Sequence, residues 1–151
     1  MRFIYALIFL ASTCVWAQEK PNYSGTWKLD PLRSRSEAVK QPKELVLRIQ
    51  HQEPDLRLEI VRDTDGGQQT DALQLKTDGN PVQTGDATAS ASWDQWNPDR
   101  LVLSIERRTP TGPVTMSREL RLGEKGKTLT TILTAKEGSG EKKAYEFYVK
   151  N

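Results

Sequence analysis

Tyr23-Ser24-Gly25-Thr26-Trp27-Lys28-Leu29-Asp30 is the stretch on which the fold turns. Downstream of it the chain is a succession of short segments in which apolar and polar residues alternate. In that company the stretch reads as the first strand of an antiparallel barrel, with Trp27 plugging one end.

The alternation is clearest soon after this stretch. Leu45, Leu47 and Ile49 alternate with Val46, Arg48 and Gln50. After Glu53-Pro54-Asp55, Leu56, Leu58 and Ile60 alternate with Arg57, Glu59 and Val61. A period of two marks strands with one apolar face. Pro54 fixes φ and Asp55 caps the turn, so the pair reads as a hairpin. Leu73 and Leu75 mark a third strand after the Asp63-Thr64-Asp65-Gly66-Gly67 turn. Ala87, Ala89, Ala91 and Trp93 share one face of a later strand, and Leu101, Leu103 and Ile105 share one face of the next. Val114, Met116, Arg118, Leu120 and Leu122 then share one parity. Thr128 to Ala135 is a β-prone run, and Tyr145, Phe147 and Val149 lie on one side of the last strand.

Turn signals recur every ~8–12 residues, the spacing of sandwiches and barrels. No long helical pattern argues for a parallel sheet with crossover helices. Short connections make sequence neighbours sheet neighbours, and closure hides the sheet edges. The expected fold is therefore all-β, a single antiparallel up-and-down barrel of about eight to ten strands. A Greek-key sandwich is the alternative. The segment Pro81 to Asp86 is open between strand and loop. Pro31 to Pro42 is expected to form a loop or short helix over a barrel mouth.

Upstream, Arg2 precedes the apolar run Phe3 to Ala11, and Val15-Trp16-Ala17 supplies a signal-peptidase site. This is the pattern of a secretory signal peptide cleaved after Ala17. The run is far shorter than the ~20 residues of a spanning helix. Leu10-Ala11-Ser12-Thr13 before Cys14 departs from a lipobox, so lipid anchoring at Cys14 is not expected. The expected organisation is a signal peptide over residues 1–17 and one barrel domain over 18–151, secreted or periplasmic, with no membrane span in the mature chain.

Cys14 is the single cysteine among 151 residues, so the remainder has neither disulfide nor thiolate chemistry. A hydrophobic core must hold it, and a chain of this length buries about two-thirds of its unfolded surface. Without Arg2, 21 basic side chains face 20 acidic ones. That balance offers no electrostatic footprint for nucleic acid.

Gly25-Thr26-Trp27 near the start of an all-β chain resembles the lipocalin-like, or calycin, superfamily, and in particular its small secreted bacterial members. The resemblance rests on a motif of three to five residues in its context. It implies that Gly25 and Trp27 open the first strand, that Trp27 closes one barrel end, and that a late-strand arginine packs there. By alternation Arg118 faces inward and is the candidate for that role. The two helices that fatty-acid-binding relatives insert after the first strand have no room between Pro31 and Pro42.

A barrel of about eight strands is wide enough inside for side chains or one small ligand. Three alanines in a row leave room, which makes Ala87, Ala89, Ala91 and Trp93 a candidate cavity wall; close packing against a neighbour accounts for them equally well. Arg118, beside Met116, sits on an apolar face. A buried charge must be paired, so Arg118 either anchors a ligand carboxylate or pairs within the structure, with Trp27 or an internal acid.

No catalytic apparatus is legible. His51 is the only histidine, and it reads as a solvated residue at a strand end. It has no partners for a typical zinc site. Asp63-x-Asp65-Gly66 lacks the later acids of a calcium loop and reads as a turn. Asp94 and Asp99 around Trp96 do not make an assignable glycosidase pair. The expected function is an exported, non-enzymatic protein holding a small apolar or amphipathic ligand in its barrel, without metal or cofactor. The alternative is an interaction scaffold with a filled barrel and partner-binding loops. A cavity of ~300 Å³ or more separates them.

Overall fold

The computed structural model describes residues 19–37, 42 and 44–151. Residues 1–17, where the sequence leads one to expect a signal peptide, lie outside the described residues with Cys14 among them, as does part of the Pro31–Pro42 segment.

Eleven strands are described. They are β1 (Gly25–Leu29), β2 (Arg35–Ser36), β3 (Glu44–Gln52), β4 (Asp55–Thr64), β5 (Gly67–Lys76), β6 (Val82–Thr84), β7 (Ala87–Trp93), β8 (Arg100–Thr109), β9 (Gly112–Gly123), β10 (Thr128–Glu137) and β11 (Gly140–Lys150). Ten of them form one antiparallel sheet in the order β5-β4-β3-β1-β11-β10-β9-β8-β7-β6. The last strand pairs with the first, Trp27 opposite Lys150 and Leu29 opposite Tyr148. That pairing curls the meander into a nearly closed up-and-down barrel.

The seam lies between β5 and β6. It is stapled at one end, where Asp78 bridges Ser92 and the Gly79 N–H donates to the Ala91 carbonyl at 2.8 Å. Closure goes no further because β6 has only three residues. Pro81 before it has no N–H to give to a ladder, and Gly85 after it turns the chain at φ 60°. The sequence between Pro81 and Asp86 thus forms a strand, but a very short one.

The inward parity carries the core. Trp27, Leu47, Leu101, Leu120, Leu129 and Tyr148 are fully enclosed. Their outward neighbours, such as Lys28, Arg48, Glu119 and Thr130, meet solvent or the outer polar face. This two-residue period is why each hairpin has a fixed register: a slip by one residue would turn its apolar set outward.

Of the two readings open for Pro31–Pro42, a loop or a short helix, the described part follows the first. The described residues 31–37 contain no helix over the mouth. They form a turn and then β2, which extends the line of β1 along β11, with Arg35 opposite Tyr145. Ser34 fixes this path: its Oγ donates to the Asp30 carbonyl at 2.7 Å and accepts the Phe147 N–H at 2.9 Å. On β11 the three apolar residues do share one side, and that side is the outer one. Tyr145, Phe147 and Val149 face outward, and Ala144, Glu146 and Tyr148 face the barrel. The outward parity is apolar because the strap of residues 31–37 covers part of it, with the Arg33 guanidinium 3.4 Å from the Phe147 ring centre.

Candidate ligand cavity

The barrel has two unlike ends. One gathers the connections β3–β4, β5–β6, β7–β8 and β9–β10 and is plugged. Trp27 is wholly buried, and its indole N–H donates to the Tyr23 carbonyl at 3.1 Å. The Tyr23 hydroxyl lies 2.7 Å from the Asp99 carbonyl and 2.8 Å from that of Leu120, tying the lead-in across the barrel. Burial pushes the Tyr23 phenol above its usual pKa, so it stays a donor.

His51 belongs to this plug, which corrects the reading of it as solvated. Its side chain is 2 % exposed. Nδ1 accepts the Tyr23 N–H at 3.2 Å, and Nε2 lies 2.9 Å from Glu53 Oε1. The tautomer with hydrogen on Nε2 satisfies both contacts. Glu53 also accepts the Trp93 indole N–H at 2.8 Å and the Thr77 hydroxyl at 2.7 Å. Partial desolvation would raise its carboxyl pKa, but the donors Thr77, His51 and Trp93 outweigh that and hold it below the usual value. A signal for His51 was present in the sequence, since it continues the inward parity of Leu47 and Ile49.

Trp27 does carry a cation over its ring, but the cation is Lys150, with Nζ 5.1 Å from the ring centre. The expected partnership of Trp27 with Arg118 is replaced by this one. Gly25 makes the approach possible. A Cβ at Gly25 would sit 2.7 Å from Lys150 Cε, and its φ of 152° is one that other residues rarely adopt.

Arg118 finds its partner elsewhere on the inner wall. Its Nη1 is 3.1 Å from Glu146 Oε2, both side chains being 10 % exposed. The same carboxylate oxygen accepts the Thr131 hydroxyl at 2.8 Å and the Tyr148 hydroxyl at 2.8 Å. Burial alone would lower the Arg118 pKa; Glu146 and Tyr148 reverse this and raise it, so the guanidinium stays charged. Glu146 escapes the sequence reading because it lies among Tyr145, Phe147 and Val149, whose apolar parity mimics an inward face.

Beyond this cluster, toward the β4–β5, β6–β7 and β8–β9 turns, the interior is not filled. A cavity of about 550 Å³ lies there, with walls that include Leu58, Ile60, Leu103 and Ile105. Of the sequence candidates, Ala87, Ala89, Met116 and Arg118 line it. Ala91 and Trp93 share the inward parity but lie outside this lining. Ala91 packs fully buried beside the seam staple, and Trp93 joins the plug, 6.1 Å from Tyr23 and 5.8 Å from His51 by ring centres. The cavity therefore sits at the end opposite the plug. It reaches β5 through Thr70, Asp71, Ala72 and Leu73, and β6 through Thr84, so the unpaired part of the seam borders it.

The nearly closed antiparallel barrel is compatible with the calycin-like resemblance of its opening strand. No protein-family model matches the chain, and no curated protein matches it. Among the described residues, no group of three or more His, Cys, Asp or Glu side chains is placed to hold a metal ion. No helix among them is long and apolar enough to cross a membrane.

Proposed function

We propose that this is an exported binding protein that holds one small apolar or amphipathic molecule inside its barrel, without catalysing a reaction on it. The observation that carries the reading is the cavity of about 550 Å³. Its volume falls within the ~300–1,000 Å³ of small-molecule sites. Its walls are largely aliphatic, which gives an apolar chain somewhere to leave water. The alternative of an interaction scaffold with a filled barrel requires an interior without such space, and the cavity weighs against it. Export rests on the leader pattern of residues 1–17.

The test is titration of the purified protein with N-phenylnaphthylamine, a neutral fluorophore that brightens out of water. Saturable binding of one dye per chain is expected. Its absence, or uptake without saturation, contradicts the reading.

A further inference from the structure

Three arginines line the cavity, and each already has a carboxylate. Arg62 Nη1 is paired with Asp71 Oδ2, which lines the cavity beside it. Arg107 Nε is 3.2 Å from Asp86 Oδ2. Arg118 Nη1 is 3.1 Å from Glu146 Oε2. The first two pairs are largely solvated at the rim, where such charges are screened and attract weakly. The third lies deep in the wall and is the one an entering head group would meet.

From these pairings we infer that the cavity selects ligands with an uncharged, oxygen-bearing polar group, an alcohol, ester or amide, over carboxylates, and that Glu146 sets this preference. The inference rests on the carrier reading above and adds the ligand's chemical class to it. A carboxylate moved into the cavity loses its hydration. Only a free cation would offset that loss, and Glu146 already neutralises Arg118 from behind. A hydroxyl or carbonyl oxygen loses far less hydration and needs only a hydrogen-bond donor. Arg118 can supply one, because a guanidinium carries five N–H groups and the contacts to Glu146 and Tyr148 run through Nη1 alone.

The experiment is displacement of N-phenylnaphthylamine from the purified protein at neutral pH by decanol, methyl decanoate and decanoate, which share one chain length. Decanol and the ester should displace the dye at concentrations about tenfold or more below decanoate, the scale of one unpaired polar group. In Glu146→Gln, decanoate should gain about tenfold relative to decanol, because Arg118 then presents a free charge. Decanoate equal to or better than decanol on the unaltered protein overturns the inference and leaves the carrier reading standing. Dye binding that none of the three displaces overturns the inference alone, and no saturable dye binding at all overturns both. A folded Glu146→Gln with unchanged ranking overturns the role of Glu146. Should that variant not fold, the ranking on the unaltered protein still decides the ligand class.

Discussion

Arg118 on β9 and Glu146 on β11 meet across β10, Nη1 to Oε2 at 3.1 Å, on the inner wall of the barrel. Neither strand pairs with the other. The contact is made possible by the intervening strand, where Thr131 lies opposite both Leu120 and Glu146 and donates to the same carboxylate oxygen. A long cation from one side and a carboxylate from the other thus span a gap filled by a small hydroxyl.

Breaking that pair from one side should be costly. Arg118→Met leaves a buried carboxylate without its cation, and Glu146→Leu leaves a buried cation. Each should lower the unfolding free energy by about 3–5 kcal/mol in urea titrations. The double substitution should recover much of the loss, because two apolar side chains replace a balanced pair. Additive losses in the double variant would show that the two residues act independently.

The plug should respond to different changes. Trp27→Ala removes a fully buried indole and should cost about 3–5 kcal/mol. Gly25→Ala should cost about 1 kcal/mol or more, because its φ of 152° suits only glycine. Adding Lys150→Ala to Gly25→Ala removes the clash with the lysine chain but leaves the backbone penalty. Full recovery in that double variant would place the whole effect in the clash.

Acid should loosen the plug. The Glu53 carboxyl is held below its usual pKa by donors present only in the folded chain. A depressed folded pKa gives stability that is complete above the unfolded glutamate value of about 4.3 and is lost as pH falls from there through the folded value. Glu53→Gln should therefore melt lower than the unaltered protein at pH 7. The gap should narrow as the pH drops below about 4. Melting curves across this range check it, and a constant gap would contradict the linkage.

The cavity can be filled without touching the plug. Ala89 is 1 % exposed and lines the cavity. Ala89→Phe projects a ring into that space and should abolish dye binding. Its melting temperature should change by no more than an overpacked site's ~1–3 kcal/mol implies. Ala91→Ser, at a buried position outside the lining, should leave dye binding intact.

The barrel was legible because its hairpins obey two rules at once. Leu45, Leu47, Ile49, Leu56, Leu58 and Ile60 keep the inward parity, and turns at Glu53-Pro54 and Asp65-Gly66 punctuate the strands, so pairing and register come from local sequence. Inward placement of Ala87, Ala89, Met116 and Arg118 came from the same period. The partner of Arg118 did not, because parity on the last strand is inverted by a covering segment far away in sequence: Arg33 lies over Phe147, and Arg35 pairs with Tyr145. His51 is hidden for the opposite reason. Its inward parity is on display, but a polar residue at a strand end looks solvated from sequence. Its burial depends on Tyr23 and Trp93, which only folding brings to it from distant points of the sequence, as well as on Glu53 two residues on.

Whether the barrel's interior holds a small molecule is decided by native mass spectrometry of the protein purified from its own cells. One small-molecule adduct per chain is expected, extractable into organic solvent, uncharged at neutral pH, and missing from Ala89→Phe. A chain that flies without an adduct and also fails to take up N-phenylnaphthylamine would refute the carrier reading.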